Sequence, residues 1–202
     1  MVERPERPRG RPRSFDRQAA LDQATRVFWE RGYEAASIAE LTRAMAIGAP
    51  SLYAAFGDKR TLFEEVVRGY GAQYGGFIEL ALSEERTGGA AVARVLREAA
   101  AEYTAPGRPA GCLIASAALN CSAEDVVAGL RKRREENVRA FERLIREDVA
   151  AGLLPEDTDA AGLARFVGAI LQGMSQQARD GAGRAELEAV AEAALRAWPA
   201  AP

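Results

Sequence analysis

The sequence predicts an all-α protein of about nine helices, with a small front unit joined through a fourth helix to a larger bundle. Three observations carry this. Alanine dominates an apolar fraction of 48%, and glutamate and arginine dominate the polar residues. The β-branched and aromatic residues that favour strands are sparse, with aromatics at 7%. Apolar residues recur at three- and four-residue spacing through successive segments that glycine and proline separate. A chain of 202 residues has room for a buried core, as one large domain or as a small one joined to a larger one.

Asp16 suits the N-cap of the first helix, in which Ala20, Leu21, Ala24, Val27 and Phe28 share a face until Gly32 stops it. Ser37 and Glu40 have the spacing of a capping box, and Ile38, Leu41 and Met45 form the buried stripe of a short second helix. After "AIG", Pro50 suits the first turn of a third helix, whose Leu52, Ala55 and Phe56 lie together before Gly57. Asp58 caps a fourth, with Leu62, Phe63, Val66, Val67 and Tyr70 at the helical period. Gly69, Gly71, Gly75 and Gly76 each weaken it by about 1 kcal/mol relative to alanine, so it should bend or fray there.

"RTGG" at 86–89 reads as a loop, and 90–104 as a helix with Val92, Val95 and Leu96 inward. "APGRPAG" is the next break, and residues 109–120, apolar nearly all round, are expected to be buried. The longest amphipathic stretch, 123–151, sets Val126, Leu130, Val138, Phe141 and Ile145 against "RKRREE", which reads as a solvated face. Two last helices, about 159–179 and 185–198, flank "DGAGR". No repeat of fixed period runs through the chain, which excludes a solenoid.

The longest apolar run, around "GCLIASAAL", is far shorter than the roughly 20 residues a membrane span needs, and no signal peptide opens the chain. The expectation is a cytoplasmic protein with no membrane partner. Cys112 and Cys121 are too few for a disulfide framework, and without histidine the chain lacks the usual nitrogen ligand of zinc and the usual general base. No metal or other cofactor is expected. A net charge of -2 argues by itself against a nucleic-acid binder, but the charge is unevenly placed. Residues 1–60 carry 11 Lys/Arg against 8 Asp/Glu, and the remainder 16 against 21. A small region that binds, attached to a larger body with another task, would produce this segregation.

The basic excess begins at "RPRGRPRSFD", residues 7–16, where four arginines alternate with prolines and a glycine. Pro5, Pro8 and Pro12 exclude a helix over residues 1–13 and leave an extended basic arm. "RGRP", Arg9 to Pro12, resembles the core of the AT-hook, whose extended Arg-Gly-Arg-Pro lies in a narrow A·T-rich minor groove. On that resemblance Arg9, Arg11 and Arg13 are minor-groove contacts. The alternative is a charged tail kept for solubility.

A capped helix, a short turn and a second short helix with an aromatic near its middle describe a helix-turn-helix, whose second helix lies in the major groove. "FWERGYEAASIAELTRAMAIGAPSLYAAFGDKRTLFEEVV" closely resembles the N-terminal DNA-binding domain of the TetR family of transcriptional regulators, and "SLYAAFGDK" is close to that family's most recognisable stretch. The resemblance covers residues 14–68, with the helix-turn-helix at about 37–56. Over 69–202, only helix number, length and order agree with the family's ligand-binding and dimerisation domain. The resemblance implies a DNA-binding transcriptional regulator: a ligand-responsive repressor that binds a palindromic operator on double-stranded DNA as a homodimer. It also implies an effector, a small molecule whose identity the sequence does not give.

Carried over residue by residue, Ser37 presents the amino end of the second helix to a phosphate, Tyr53 hydrogen-bonds a phosphate, and Lys59 does likewise at the start of the fourth. Helix N-termini attract anions and an ammonium adds full charge, so each role has a physical basis. For Tyr53 the alternative is a core aromatic. Two residues depart from the family's pattern: Ala46 where glycine is usual, and Gly48 where a capping serine is frequent. A left-handed backbone at Ala46 costs on the order of 1 kcal/mol, so a turn shifted by one residue is the alternative. From Gly48 to Phe56 there is no Arg, Lys, Asn or Gln, so the bidentate pairs that distinguish guanine or adenine cannot come from this helix. Ser51 and Tyr53 are its hydrogen-bonding side chains, and Ala49 and Pro50 can touch thymine methyls. The arm is expected to supply the affinity that this helix lacks.

Ligand pockets in helical domains form between helices, mostly apolar with a few polar groups. Tyr103, Cys112, Asn120, Cys121, Phe141 and Gln172 are candidates to line one, with plain core or surface as the alternative for each. A thiol switch at the two cysteines competes with the ordinary behaviour of a buried cysteine as a small hydrophobe. For dimerisation, family likeness and composition select the last two helices, with Gly162, Phe166, Ile170, Gly173, Met174 and Leu195 at the interface and an intramolecular core as the alternative. The competing reading of the whole chain is an all-helical enzyme or scaffold that contains a helix-turn-helix-like bundle. It is weakened by the lack of histidine, of a phosphate-cradling glycine motif after a strand and of clustered metal ligands.

Overall fold

The computed structural model describes residues 15–199. Its regular structure is helical throughout: α1 (Arg17–Ala35), α2 (Ile38–Ala44), α3 (Ala49–Phe56), α4 (Lys59–Gln73), α5 (Gly76–Glu84), α6 (Gly88–Tyr103), α7 (Leu113–Ser116), α8 (Glu124–Ala150), α9 (Ala160–Arg179) and α10 (Arg184–Arg196). Among the described residues, no helix is long and apolar enough to cross a membrane. The arginines of the arm, Arg9, Arg11 and Arg13, lie outside the described residues.

Local chemistry starts and stops the front helices. The Asp16 carboxylate accepts from the amides of Gln18 and Ala19, both at 3.0 Å, and opens α1. The helical backbone breaks at Gly32 (φ 77°), where an added Cβ would stand 3.2 Å from the Ala117 carbonyl oxygen. At α2 the capping box closes in both directions between Ser37 and Glu40. The turn then passes through Ala46 in the left-handed region (φ 54°), and Gly48 is the N-cap of α3. The turn is therefore not shifted. Leu41 and Met45 before it and Leu52 after it are all buried, and their burial holds Ala46 where its own side chain disfavours it. Asp58 accepts from the Thr61 amide at 2.7 Å and opens α4.

Further along, the helices among the described residues number ten rather than nine. Gly69 and Gly71 stay helical, and α4 ends at Gln73, so the expected bend is a break between two helices with Gly75 as the N-cap of α5. Helix α6 starts inside the expected "RTGG" loop, because Thr87 caps the Ala90 amide and the buried Asp148 accepts from the Gly89 amide at 2.9 Å. Gly88 must be small there, since a Cβ would meet Asp148 Oδ2 and the Leu144 backbone at 3.0 Å. The 109–120 segment forms the single turn of α7; Leu113 and Ala117 are buried, but Leu119 and Asn120 are exposed.

Two apolar cores result. One gathers Phe28, Trp29, Leu41, Leu52, Phe56, Phe63 and Tyr70 of α1–α4 with Leu113, Ala117, Val126 and Leu130 of α7 and α8. Trp29 and Phe28 are its largest fully buried side chains, each contributing about 1.5–3 kcal/mol by burial. The other gathers Val92, Val95, Leu96 and Tyr103 of α6 with Phe141, Ile145, Val167, Leu171, Met174, Leu187 and Ala191 of α8–α10. Polar contacts pin the front unit to the body: Tyr33 donates its amide to the Ala117 carbonyl at 2.7 Å, Arg60 pairs with Asp125 at 2.7 Å, and Arg179 donates to the carbonyls of Trp29 and Glu30.

Candidate nucleic-acid interface and the cavity behind it

Helix α3 buries Leu52 and Phe56 and turns Pro50, Ser51, Tyr53 and Ala54 outward, with Ala49 half-buried at its start. Tyr53 is 50% exposed, so it is a surface phenol and not a core aromatic. The outward face carries no carboxylate, which would repel phosphate. Ser37 stands exposed at the start of α2, and its hydroxyl is engaged with Glu40 in the capping box. Hydrogen bonds from Ser37 hold the Glu40 carboxyl below its ordinary value, so a negative charge sits at this helix end and draws Arg31 to 3.7 Å.

Lys59 is less free than the sequence suggests. Its Nζ donates to the Glu34 carbonyl oxygen at 3.3 Å and lies 4.4 Å from the centre of the Tyr33 ring, and burial pushes its ammonium below the ordinary value. Arg43, which the sequence reading did not select, is exposed in the last turn of α2 and forms no ion pair among the described residues. A signal for it was present: Glu40, its only acidic neighbour at helical spacing, is taken by the capping box.

Behind α4 lies a cavity of ≈ 830 Å³ lined by residues of α4 to α9. Tyr103, Cys112, Phe141 and Gln172 line it. Asn120 and Cys121 do not: Asn120 is exposed at a left-handed turn (φ 57°), and Cys121 packs beside the front unit near Glu34 and Lys59. The chain leaves the cavity wall once α7 ends at Ser116, which carries both residues away from it. Other wall residues escaped the sequence reading, among them Tyr70 of α4, Phe77, Ile78 and Leu82 of α5, and Arg133, Arg134 and Asn137 of α8. Tyr70 and Tyr103, both buried residues, line the cavity together with Cys112, and burial pushes both phenols above their ordinary value. The "RKRREE" run is thus not wholly a solvated face: Arg131 and Lys132 are exposed, while Arg133 and Arg134 are half-buried on the cavity wall.

On α9, Gly162 and Gly173 are exposed, while Phe166 and Ile170 are partly buried and pack against the edge of the chain's own core, leaving part of each side chain in solvent. Met174 differs: it is fully buried in the chain's own core between α9 and its neighbours, so it cannot face a second copy. Leu195 likewise packs against that core, although only partly buried. Exposed Ala189, Val190 and Ala193 of α10 continue the outward apolar surface.

A short helix with an outward phenol and no outward carboxylate, raised on a buried three-helix support, has the shape and charge to enter a groove of duplex DNA. The fold and this surface together define a DNA-binding transcriptional regulator of the helix-turn-helix class. Comparison with known proteins narrows the class. Residues 20–66 match the family described as "Bacterial regulatory proteins, tetR family". The HTH-type transcriptional repressor ComR of Escherichia coli (strain K12) is 37% identical over 194 residues, covering 95% of this chain and 92% of ComR. BdcR, an HTH-type transcriptional repressor of the same strain, is 39% identical over 105 residues, 52% of this chain and 53% of BdcR. The TetR family transcriptional regulator CifR, solved as a cysteine mutant with 26-bp double-strand operator DNA, is 46% identical and superimposes with a TM-score of 0.87, covering 94% of this chain and 100% of that one. The chain belongs to the tetR family.

Proposed function

We propose that the protein is a ligand-responsive repressor that binds a palindromic operator as a homodimer, in the cytoplasm where that operator lies. The observation that carries this reading is the double placement of α4. Its first residue, Lys59, follows the turn that ends α3, and its last turns, Arg68 to Gly71, form a wall of the cavity. A molecule that enters the cavity presses on the same rigid helix that supports α3, so filling one site biases the position of the other. The sequence match to operator-binding CifR and to the repressor ComR supports the reading.

In this reading Tyr53 and Ser51 contact phosphate, Ala49 and Pro50 touch thymine methyls, and the Ile38 and Ala39 amides at the start of α2 receive a phosphate beside Ser37. Arg43 adds charge at the turn, and Lys59 contributes through its field, because its ammonium is held by Tyr33 and Glu34. The arm residues Arg9, Arg11 and Arg13 follow the adjacent minor groove. The outward face of α9 and α10, with Gly162, Phe166, Ile170 and Gly173, joins two copies. A genomic footprint of the bound protein, followed by an anisotropy titration of the recovered duplex, tests the reading. The expected result is a palindromic site that takes two chains. One chain per site, or no preference over random duplex, overturns it.

A further inference from the structure

The cavity wall carries a charge that the protein leaves unanswered. At the rim, exposed Arg68 and Arg143 are balanced by exposed Glu79 and Glu136. Deeper, Arg133 and Arg134 are half-buried, and neither forms an ion pair among the described residues. Their neighbour Glu135 is turned to Arg165 at 2.7 Å. Arg134 donates to the Ile114 carbonyl at 2.7 Å and lies close enough to Cys112 for the two to interact; burial pushes its guanidinium below the ordinary value. Arg133 extends over α4 where Gly71 has no side chain, its Nη1 3.8 Å from the position a Cβ would take. A guanidinium withdrawn from water without a carboxylate is costly, and a bound anion relieves that cost. An apolar part of the wall is supplied by Phe77, Ile78 and Leu82 of α5 with Val138, Phe141 and Leu171 of α8 and α9, beside the polar Ser83, Asn137 and Gln172.

We propose that the cavity takes an amphiphilic anion, with a carboxylate or similar head on Arg134 and Arg133 and an apolar body laid between α5 and α8. Tyr70, Tyr103 and Cys112 offer neutral donors beside the head, which a carboxylate can use and an ammonium cannot. The assignment of ligand class rests on the proposed ligand response only in using the same cavity.

Calorimetric titration of the full chain with decanoate, 1-decanol and decyltrimethylammonium, each below its micelle concentration, tests it. Decanoate is expected to bind about tenfold or more tighter than decanol, and the cation more weakly than either, as a charge-assisted pair requires. Arg134→Gln should erase that preference while leaving decanol affinity within about twofold. Should that variant fail to fold by circular dichroism, the salt dependence of the unaltered protein serves instead: affinity for decanoate falls with salt and affinity for decanol does not. Equal binding of decanoate and decanol, a preference for the cation, or no binding of any of the three overturns the proposal. Operator affinity with and without saturating decanoate separates it from the functional reading. If decanoate binds with the stated preference and operator affinity stays constant, the ligand class stands and the ligand response falls.

Discussion

Tyr53 shares α3 with Phe56, yet one ring is half in solvent and the other is buried. Three positions along a helix do not account for that difference alone: Phe56 is covered by Phe15, and by the Arg17 guanidinium 4.4 Å from its ring centre, while among the described residues Tyr53 has no aromatic or cationic neighbour of this kind. Tyr53→Phe is therefore expected to leave thermal stability unchanged and to weaken operator binding roughly tenfold, the worth of one hydrogen bond to a charged group. Paired thermal melts and anisotropy titrations measure both; unchanged affinity removes Tyr53 from the interface. Ala46 is the complementary case, a residue in a conformation that glycine tolerates better. Ala46→Gly should stabilise the fold by about 1 kcal/mol, a rise in Tm of roughly 2–4 °C, as read by calorimetry. A fall in Tm would mean that the left-handed turn carries no strain.

At the level of elements, caps were legible because they are local. An acceptor side chain and an amide three residues on determine where α1, α2 and α4 begin, whatever packs against them later. The start of α6 was missed although Thr87 caps the Ala90 amide just as locally: Gly88 and Gly89 argued for a loop, and what outweighs them is distant, Asp148 of α8 accepting from the Gly89 amide 59 residues away. The same limit applies to α9: its apolar positions were evident, but periodicity alone could not say which side met the chain's own core. Packing divides them: Val167, Leu171 and Met174 point inward, Gly162 and Gly173 are exposed, and Phe166 and Ile170 stand partly buried at the edge of the chain's own core. Gly173→Glu places a charge at an exposed position where an added Cβ meets nothing within 4 Å, and it is expected to convert a dimer to a monomer of unchanged helicity, read by light scattering and circular dichroism. Met174→Glu, by contrast, should unfold the chain, since it buries that charge within one copy.

Across the whole molecule, the proposed binding and sensing sites are separated in sequence and joined in space. The front unit is fixed to the body by Tyr33 on Ala117, Arg60 on Asp125 and Arg179 on the end of α1, so movement at the cavity has a short path to α3. In the proposed function, affinity is drawn from the front end, where the basic residues concentrate. Removing residues 1–13 should weaken operator binding and lower the slope of log affinity against log salt by about 3, one ion for each of Arg9, Arg11 and Arg13. An unchanged slope would make the arm a solubility tail. By itself, the sequence determined the all-helical class, the order of helices, the capped turn of the front unit and the family, because each depends on residues a few positions apart. Only the tertiary structure decided which of the charged residues on α8 enter the cavity, that Asn120 and Cys121 stay outside it, and that Met174 belongs to the core. Those outcomes depend on which helices meet, and that is set by the total apolar surface the fold can bury, a quantity no local window contains.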